Sequence, residues 1–269
     1  LGVSLVFQPQ QQEMSVATGG TEVASRLQSV LQRIASAAAA ASGGSAKQLP
    51  RLVAVSKTKP ISDIVAAYSA GQRHFGENYV QELYEKSHSP EIQSQCPDIR
   101  WHFIGHCQSK NVKRLSQVNN LDTMETVDSE KLANLLHKEW TKTSAYESGS
   151  KLRVFIQVNT SNEEQKYGCK PNQVVGLAGH LLENCPAISL AGLMTIGSLE
   201  ASHQAEDGNA DFERLVLCRR ELTATLKLGG EEHLELSMGM SSDFELAIKM
   251  GSTNVRVGST IFGERNYSK

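Results

Sequence analysis

Leu52-Val-Ala-Val-Ser-Lys-Thr-Lys-Pro60, "LVAVSKTKP", runs as five residues of buried strand into a lysine, and a proline closes the segment. Strand alternation puts Val53, Val55 and Lys57 on one face and Leu52, Ala54 and Ser56 on the other. The next stretch, "PISDIVAAYSAG", switches to helical spacing, and the same change of period recurs along the chain. Short apolar or β-branched runs fall at Leu52–Ser56, Arg73–Phe75, Trp101–Ile104, Leu121–Val127, Leu152–Val158, Ile188–Thr195, Leu234–Met238 and Asn254–Val257. Helical segments such as "NYVQELYEKS", "SEKLANLLHKEW", "NQVVGLAGHLLENC" and "DFERLVLCRRELTATL" separate them. Strands alternating with helices of this length pair in parallel through right-handed crossovers. Eight such units favour an α/β fold that is a single (β/α)8 TIM barrel, with an open doubly wound sheet as the alternative, because periodicity does not reveal closure.

The rest of the chain bounds that reading. At 269 residues with 39% apolar content, one barrel can use nearly the whole length. Residues 1–20 read as a leader or disordered tail, and 21–269 as the barrel domain. Within the latter, Val23, Leu27, Val30, Leu31 and Ile34 recur at three- and four-residue steps, predicting an extra N-terminal helix over Thr21–Ala41. Its alanine-rich tail, "ASAAAAAS", carries no chemistry. With 27 basic and 29 acidic side chains and no long basic run, the chain lacks the electrostatic footprint of a nucleic-acid binder. No run of 18 apolar residues predicts a membrane span. The cysteines, Cys96, Cys107, Cys169, Cys185 and Cys218, are odd in number and scattered, which argues against a disulfide framework or structural zinc. A reducing, cytoplasmic compartment is the expectation, with mitochondria left open by the unusual leader.

In a barrel the chemistry sits where the strands end. Those ends read Lys57, Gly76-Glu77-Asn78, Gly105-His106, Asn159-Thr160, Met194–Gly197, Ser237–Asp243 and Arg256–Thr260. Should Val53 and Val55 face inward, Lys57 is pushed toward a desolvated mouth, where an unpartnered amine favours its neutral, nucleophilic form. Lys59 precedes Pro60 at a helix entrance open to water, so Lys57 is the stronger candidate. Ser242 and Glu245 have capping-box spacing, with Ser241 alongside. Gly258, Ser259 and Thr260 follow the last strand, and the loops after strands seven and eight are the habitual phosphate site of this architecture. Taken singly, a lysine that snorkels to solvent and two ordinary caps are the plainer readings. Together, an amine facing a phosphate grip suggests a phosphorylated aldehyde, and pyridoxal 5′-phosphate is the biological ligand of that description.

"LVAVSKTKP", "GQRHFGENYVQEL", "WHFIGHCQSKNVK", "QVNTSNEEQKYG", "AGLMTIGS", "LSMGMSSDFELAI" and "GSTNVRVGSTIFGER" together resemble the pyridoxal phosphate homeostasis proteins, the proline synthetase co-transcribed homologue family. The likeness covers Thr21 to Lys269 and implies the barrel of the alanine racemase N-terminal domain. It implies that Lys57 forms a Schiff base with pyridoxal 5′-phosphate and that Asn78 lies near the ring substituents. By the same likeness Ser241, Gly258 and Ser259 hold the phosphate, and Arg256 faces the pyridine nitrogen. Cys107 stands where the family pattern leads us to expect leucine, a packing difference. A guanidinium opposite the ring nitrogen leaves it unprotonated and makes carbanion chemistry harder, although Arg256 has the alternative of pairing with an acidic side chain. Racemisation also needs a second base, which the resemblance places, in alanine racemases, on a further C-terminal domain; this chain runs only about ten residues past its last strand. Tyr79, Tyr167 and Tyr267 have no spacing that sets them over the cofactor. The expectation is therefore a non-enzymatic protein that buffers pyridoxal phosphate or delivers it to apo-forms of pyridoxal-phosphate-dependent enzymes, with weak racemase or transaminase-like activity as the alternative. His102 and His106 are not expected to share a metal. His102 reads as a satisfied sheet histidine, His106 as a rim residue within reach of ligand, and Glu77 as a helix N-terminal charge, with a carboxylate that supports the site from behind as the alternative.

Overall fold

In a computed structural model, residues 10–43, 48–161, 163, 167–198, 208–230 and 233–264 are described. The eight expected strands are β1 (Arg51–Val55), β2 (His74–Glu77), β3 (Arg100–Phe103), β4 (Leu121–Val127), β5 (Leu152–Gln157), β6 (Ile188–Met194), β7 (Glu235–Ser237) and β8 (Asn254–Val257). They pair in parallel in chain order, and β8 closes on β1 through Arg51–Asn254, Leu52–Val255, Val53–Arg256 and Ala54–Val257. Closure leaves no edge, which removes the open-sheet alternative.

The helices are α1 (Gln10–Ala41), α2 (Ile61–Ser69), α3 (Val80–His88), α4 (Pro90–Gln95), α5 (Val112–Leu115), α6 (Glu130–Trp140), α7 (Ser144–Glu147), α8 (Val174–Asn184), α9 (Ala210–Leu226), α10 (Phe244–Lys249) and α11 (Ser259–Phe262). Local chemistry explains their limits. The Ser129 hydroxyl accepts the Leu132 N–H to start α6, whose Leu132, Ala133, Leu136 and Trp140 then face the sheet. Asn209 caps α9 by accepting from both Asp211 and Phe212 N–H.

Strand parity sorts the core. Leu52 and Ala54 join the large shell between barrel and helices, whereas Val53 and Val55 point inward with the smaller cluster of Phe155, Ala191 and Met194. The N-terminal helix buries Val23, Leu27, Val30 and Ile34 against α2, α10 and α11, straddling the seam where β8 meets β1. It begins at Gln10 rather than Thr21, since Gln, Glu and Met in "QQQEMS" are good helix formers; residues 1–9 of the expected leader lie outside the described residues. The expected capping box at Ser242 and Glu245 does not form. Asp243 precedes α10 and accepts the Met240 N–H at 2.6 Å, while Arg33 of α1 draws Glu245 away with bonds of 2.9 and 2.7 Å. No described helix is long and apolar enough to cross a membrane.

Candidate functional site

At the carboxyl ends of β1 and β8 lies a cavity of about 340 Å³ lined by Val55, Lys57, Ile104, Ser241, Arg256, Gly258 and Ser259, among others. Five of the six residues expected to bind ligand therefore meet in one place. Lys57 follows β1 half-buried, and its backbone is tied down on both sides. The Ser56 N–H reaches the Gly76 carbonyl at 3.0 Å, the Lys59 N–H turns back to Ser56 at 3.0 Å, and Thr58 adopts φ 62°. Ser56 itself sits over a buried pair. Its hydroxyl donates to Glu77 at 2.7 Å, and Lys86 Nζ binds Glu77 and the Ser56 carbonyl, each at 2.8 Å. Lys59 also lines the cavity; it is half-buried, and its ammonium donates to the Glu264 carbonyl at 2.7 Å in a contact that water reaches.

The side of the cavity formed by the loops after β7 and β8 rests on close backbone approach. Gly258 N–H donates to the Ser241 hydroxyl at 3.2 Å, joining the loops after β7 and β8. A Cβ on Gly258 would come within 3.3 Å of both the Val55 Cβ and its carbonyl oxygen. α11 starts at Ser259, and the first N–H groups of a helix have no acceptor inside it. Asn78 is the exception. It does not line the cavity; its carbonyl is packed so closely on Gly105 that a Cβ there would fall 1.9 Å away, and its buried side-chain Oδ1 has no hydrogen-bond partner.

Arg256 is buried and does have the acidic neighbour that its sequence context left open. Nη1 donates to Ser237 at 2.5 Å and lies 4.0 Å from Glu125, while Nη2 donates to the Thr195 carbonyl at 2.7 Å. Burial pulls the guanidinium pKa down and Glu125 pushes it back up. Glu125, wholly inside the barrel, accepts from Ser237 at 2.5 Å and Asn254 at 3.1 Å and meets His102 Nδ1 at 2.6 Å. Burial opposes its ionisation, yet His102, Arg256 and Ser237 outweigh it and bring the carboxyl down to about 2. His102 is thus a satisfied interior histidine, as expected, and its Nε2 meets His74 Nδ1 at 2.9 Å. Desolvation, reinforced by His102, pulls His74 down to about 3.

Glu77 is not the helix N-terminal charge expected. It ends β2 fully buried, because Ser56 and Lys86 meet it there, and desolvation pushes its carboxyl up to about 7 against the pull of Lys86. The spacing of Glu82 and Lys86, four apart on α3, was the available signal that this lysine belongs to an ionic cluster. Glu125 had no such signal, being a polar residue inside an apolar strand, and Ser237 and Thr195, though at strand ends, had no spacing that tied them to it. His106 lies exposed at the rim and stacks on Tyr167 with centroids 3.7 Å apart. Cys107 is a core packing residue whose thiol burial pushes up to about 12, and the five cysteines are free and buried.

The profile of the "Alanine racemase, N-terminal domain" family matches residues 26–266. The mouse pyridoxal phosphate homeostasis protein is 53% identical over 221 residues, 82% of this chain and 78% of the relative. Its counterpart in Haemophilus influenzae is 44% identical, covering 81% and 86%. The chain belongs to the pyridoxal phosphate homeostasis protein family. Among solved structures, PipY of Synechococcus elongatus with pyridoxal phosphate bound superposes with a TM-score of 0.68 at 32% identity, over 90% of this chain and all of PipY. Alanine racemase from Corynebacterium glutamicum, 15% identical with a TM-score of 0.59 over 92% of this chain and 62% of its own, shares the fold. Membership of the homeostasis family gives the gathered rim residues a common context: Lys57, Ser241, Arg256, Gly258 and Ser259 all come from stretches that carried the likeness.

Proposed function

We propose that this chain binds pyridoxal 5′-phosphate in the cavity between β1 and β8 and serves its homeostasis as a reversible carrier rather than as an enzyme. The observation that carries the reading is the convergence of Lys57, Arg256 and the Ser241–Gly258 cradle on one cavity whose volume suits a small phosphorylated ring. When bound, the cofactor would supply an electrophilic aldehyde carbon and an electron-accepting ring. Lys57, which lines the cavity, would be the amine that meets that carbon, and the tied backbone around Ser56 fixes where its side chain starts. Ser241, Gly258 and Ser259 form the grip for the dianion, where glycine admits close backbone approach. Arg256 has no lone pair with which to accept a proton and spends its donors on Ser237 and Thr195, so the groups here do not hold a proton on the ring nitrogen.

The carrier reading is supported by the cavity lining. Among the described residues lining it there is no tyrosine, histidine or carboxylate to act as a second base. Tyr79 and Tyr167 are more than half exposed and do not line it, and Tyr267 lies outside the described residues. Delivery to apo-forms of pyridoxal-phosphate-dependent enzymes follows as the use of such a reversible grip. Borohydride reduction of the loaded protein followed by peptide mapping should place a pyridoxyl group on Lys57 alone, and Lys57→Ala should lose the absorbance near the visible edge. Labelling at another lysine would overturn the assignment. Exchange of amino-acid Cα protons in D2O at enzymatic rates would leave binding intact and end the non-catalytic reading.

A further inference from the structure

At the opposite, amino-terminal mouth of the barrel, three consecutive strands bring together His74 at the start of β2, His102 in β3 and Asp122 in β4. One potential ligand atom from each lies within 4.8 Å of the others. His74 Nδ1 is 2.9 Å from His102 Nε2, and His102 Nε2 is 3.9 Å from Asp122 Oδ2. Ligands bound at 2.0–2.2 Å around a tetrahedral cation stand about 3.3 Å from one another, so these spacings bracket what a shared ion requires. The other nitrogen of His102, Nδ1, meets the Glu125 carboxylate at 2.6 Å. A carboxylate that fixes the tautomer and orientation of a ligating histidine is the habitual outer support of a metal site.

The surroundings also suit a cation. Asp122 and His74 are only half-buried, which leaves a way in from solvent, whereas His102 and Glu125 are enclosed. Of the nearby positive side chains, Arg51 and Arg153 both close on Glu235, and Arg100, at the start of β3, is exposed to solvent. The Thr123 hydroxyl donates to Asp122 Oδ2 at 2.6 Å, as the outer partners of ligating carboxylates do.

We infer that His74, His102 and Asp122 form a binding site for one divalent first-row transition cation, of which zinc is the type, completed by water and bracing β2, β3 and β4. Imidazole and carboxylate donors in this number suit zinc, and the amino-terminal face of a barrel serves stability rather than catalysis. His102 keeps its Nδ1 hydrogen on Glu125. Its Nε2 lone pair and that of His74 Nδ1 turn to the ion, so the hydrogen shared between the rings moves to His74 Nε2 and no net proton is released. The inference does not rest on the cofactor reading, since the site lies at the other end of the barrel.

The test is titration of chelator-stripped full-length chain with Zn²⁺ against a chromophoric chelator, and with Co²⁺ followed by its visible spectrum. Wild type should take up one equivalent, with a cobalt spectrum of nitrogen and oxygen ligands and no thiolate charge-transfer band. His74→Ala and Asp122→Asn should each weaken binding by more than the roughly 10–100-fold that loss of an outer partner costs. Both positions are at the rim, and circular dichroism in EDTA checks that each variant is folded; Asp122→Asn keeps the shape should His74→Ala not be. No stoichiometric uptake by wild type, a thiolate band, or unchanged affinity in either folded variant would overturn the inference.

Discussion

Glu77 shows what burial does to one carboxyl beneath the lysine loop. Its folded-state pKa is raised, to about 7 from an ordinary 4.5, so the folded chain holds a proton there that the unfolded chain gives up. Stability from this group is full below about pH 4.5 and declines as pH rises to about 7. Glu77→Gln should flatten that part of a urea-unfolding pH profile; a slope unchanged in the variant would assign it elsewhere. Lys86 would keep Glu82 at 2.6 Å and the Ser56 carbonyl at 2.8 Å, so the substitution need not strand its charge. Arg256 is less forgiving. Arg256→Ala strips a partner from Ser237, Thr195 and Glu125, and breaking a buried ionic contact of this type costs about 3–5 kcal/mol, measurable by chemical denaturation.

Between β7 and β8, α10 depends on one glycine. Gly239 has φ 93°, and a Cβ there would lie 2.5 Å from the Ala247 Cβ and 2.9 Å from the Phe244 Cα. Gly239→Ala should cost about 1–3 kcal/mol from overpacking, with the left-handed backbone penalty added, and should shift Ser241 two residues on. Thermal unfolding reads the first effect, and weaker retention of pyridoxal phosphate the second. α1 tests whether the N-terminal helix is part of the barrel. Leu27 is fully buried where α1 crosses α2, α10 and α11, so Leu27→Ala should lower stability by about 2–5 kcal/mol in a single transition. A separate early melting of helix, with the barrel unaffected, would show α1 to be an appendage.

The barrel is filled unusually, with ionic groups where branched apolar layers are common. Glu125, His102, Asn254, Ser237 and Arg256 form one bonded system across β3, β4, β7 and β8. Because Glu125 is depressed to about 2, its contribution is present above about pH 4.5 and is lost as pH falls toward 2. Glu125 and Glu77 thus act in opposite directions, the first losing its contribution below about pH 4.5 and the second above it, while His74, depressed to about 3, opposes Glu77 between about pH 4.5 and 6.5. An acid-unfolding curve with no loss between pH 4.5 and 2 would contradict the assignment for Glu125.

Strand order, the inward face of β1 and the facing of Lys57 by the loops that carry Ser241, Gly258 and Ser259 were legible beforehand, because the two-residue period of a strand is local covalent geometry, whereas the place of Arg256 beside them came from the family resemblance. Turn and glycine chemistry is equally local, and it marked the loops after β7 and β8. What stayed hidden were meetings between distant residues: Ser237 with Glu125 across 112 positions, Glu245 with Arg33 across 212, and His74 with His102 across 28. The box expected at Ser242 and Glu245 failed for that reason, since Arg33 offered Glu245 a charged partner that no nearby residue could announce. Periodicity tells a side chain which way to point; only closure of β8 onto β1 decides what it finds there.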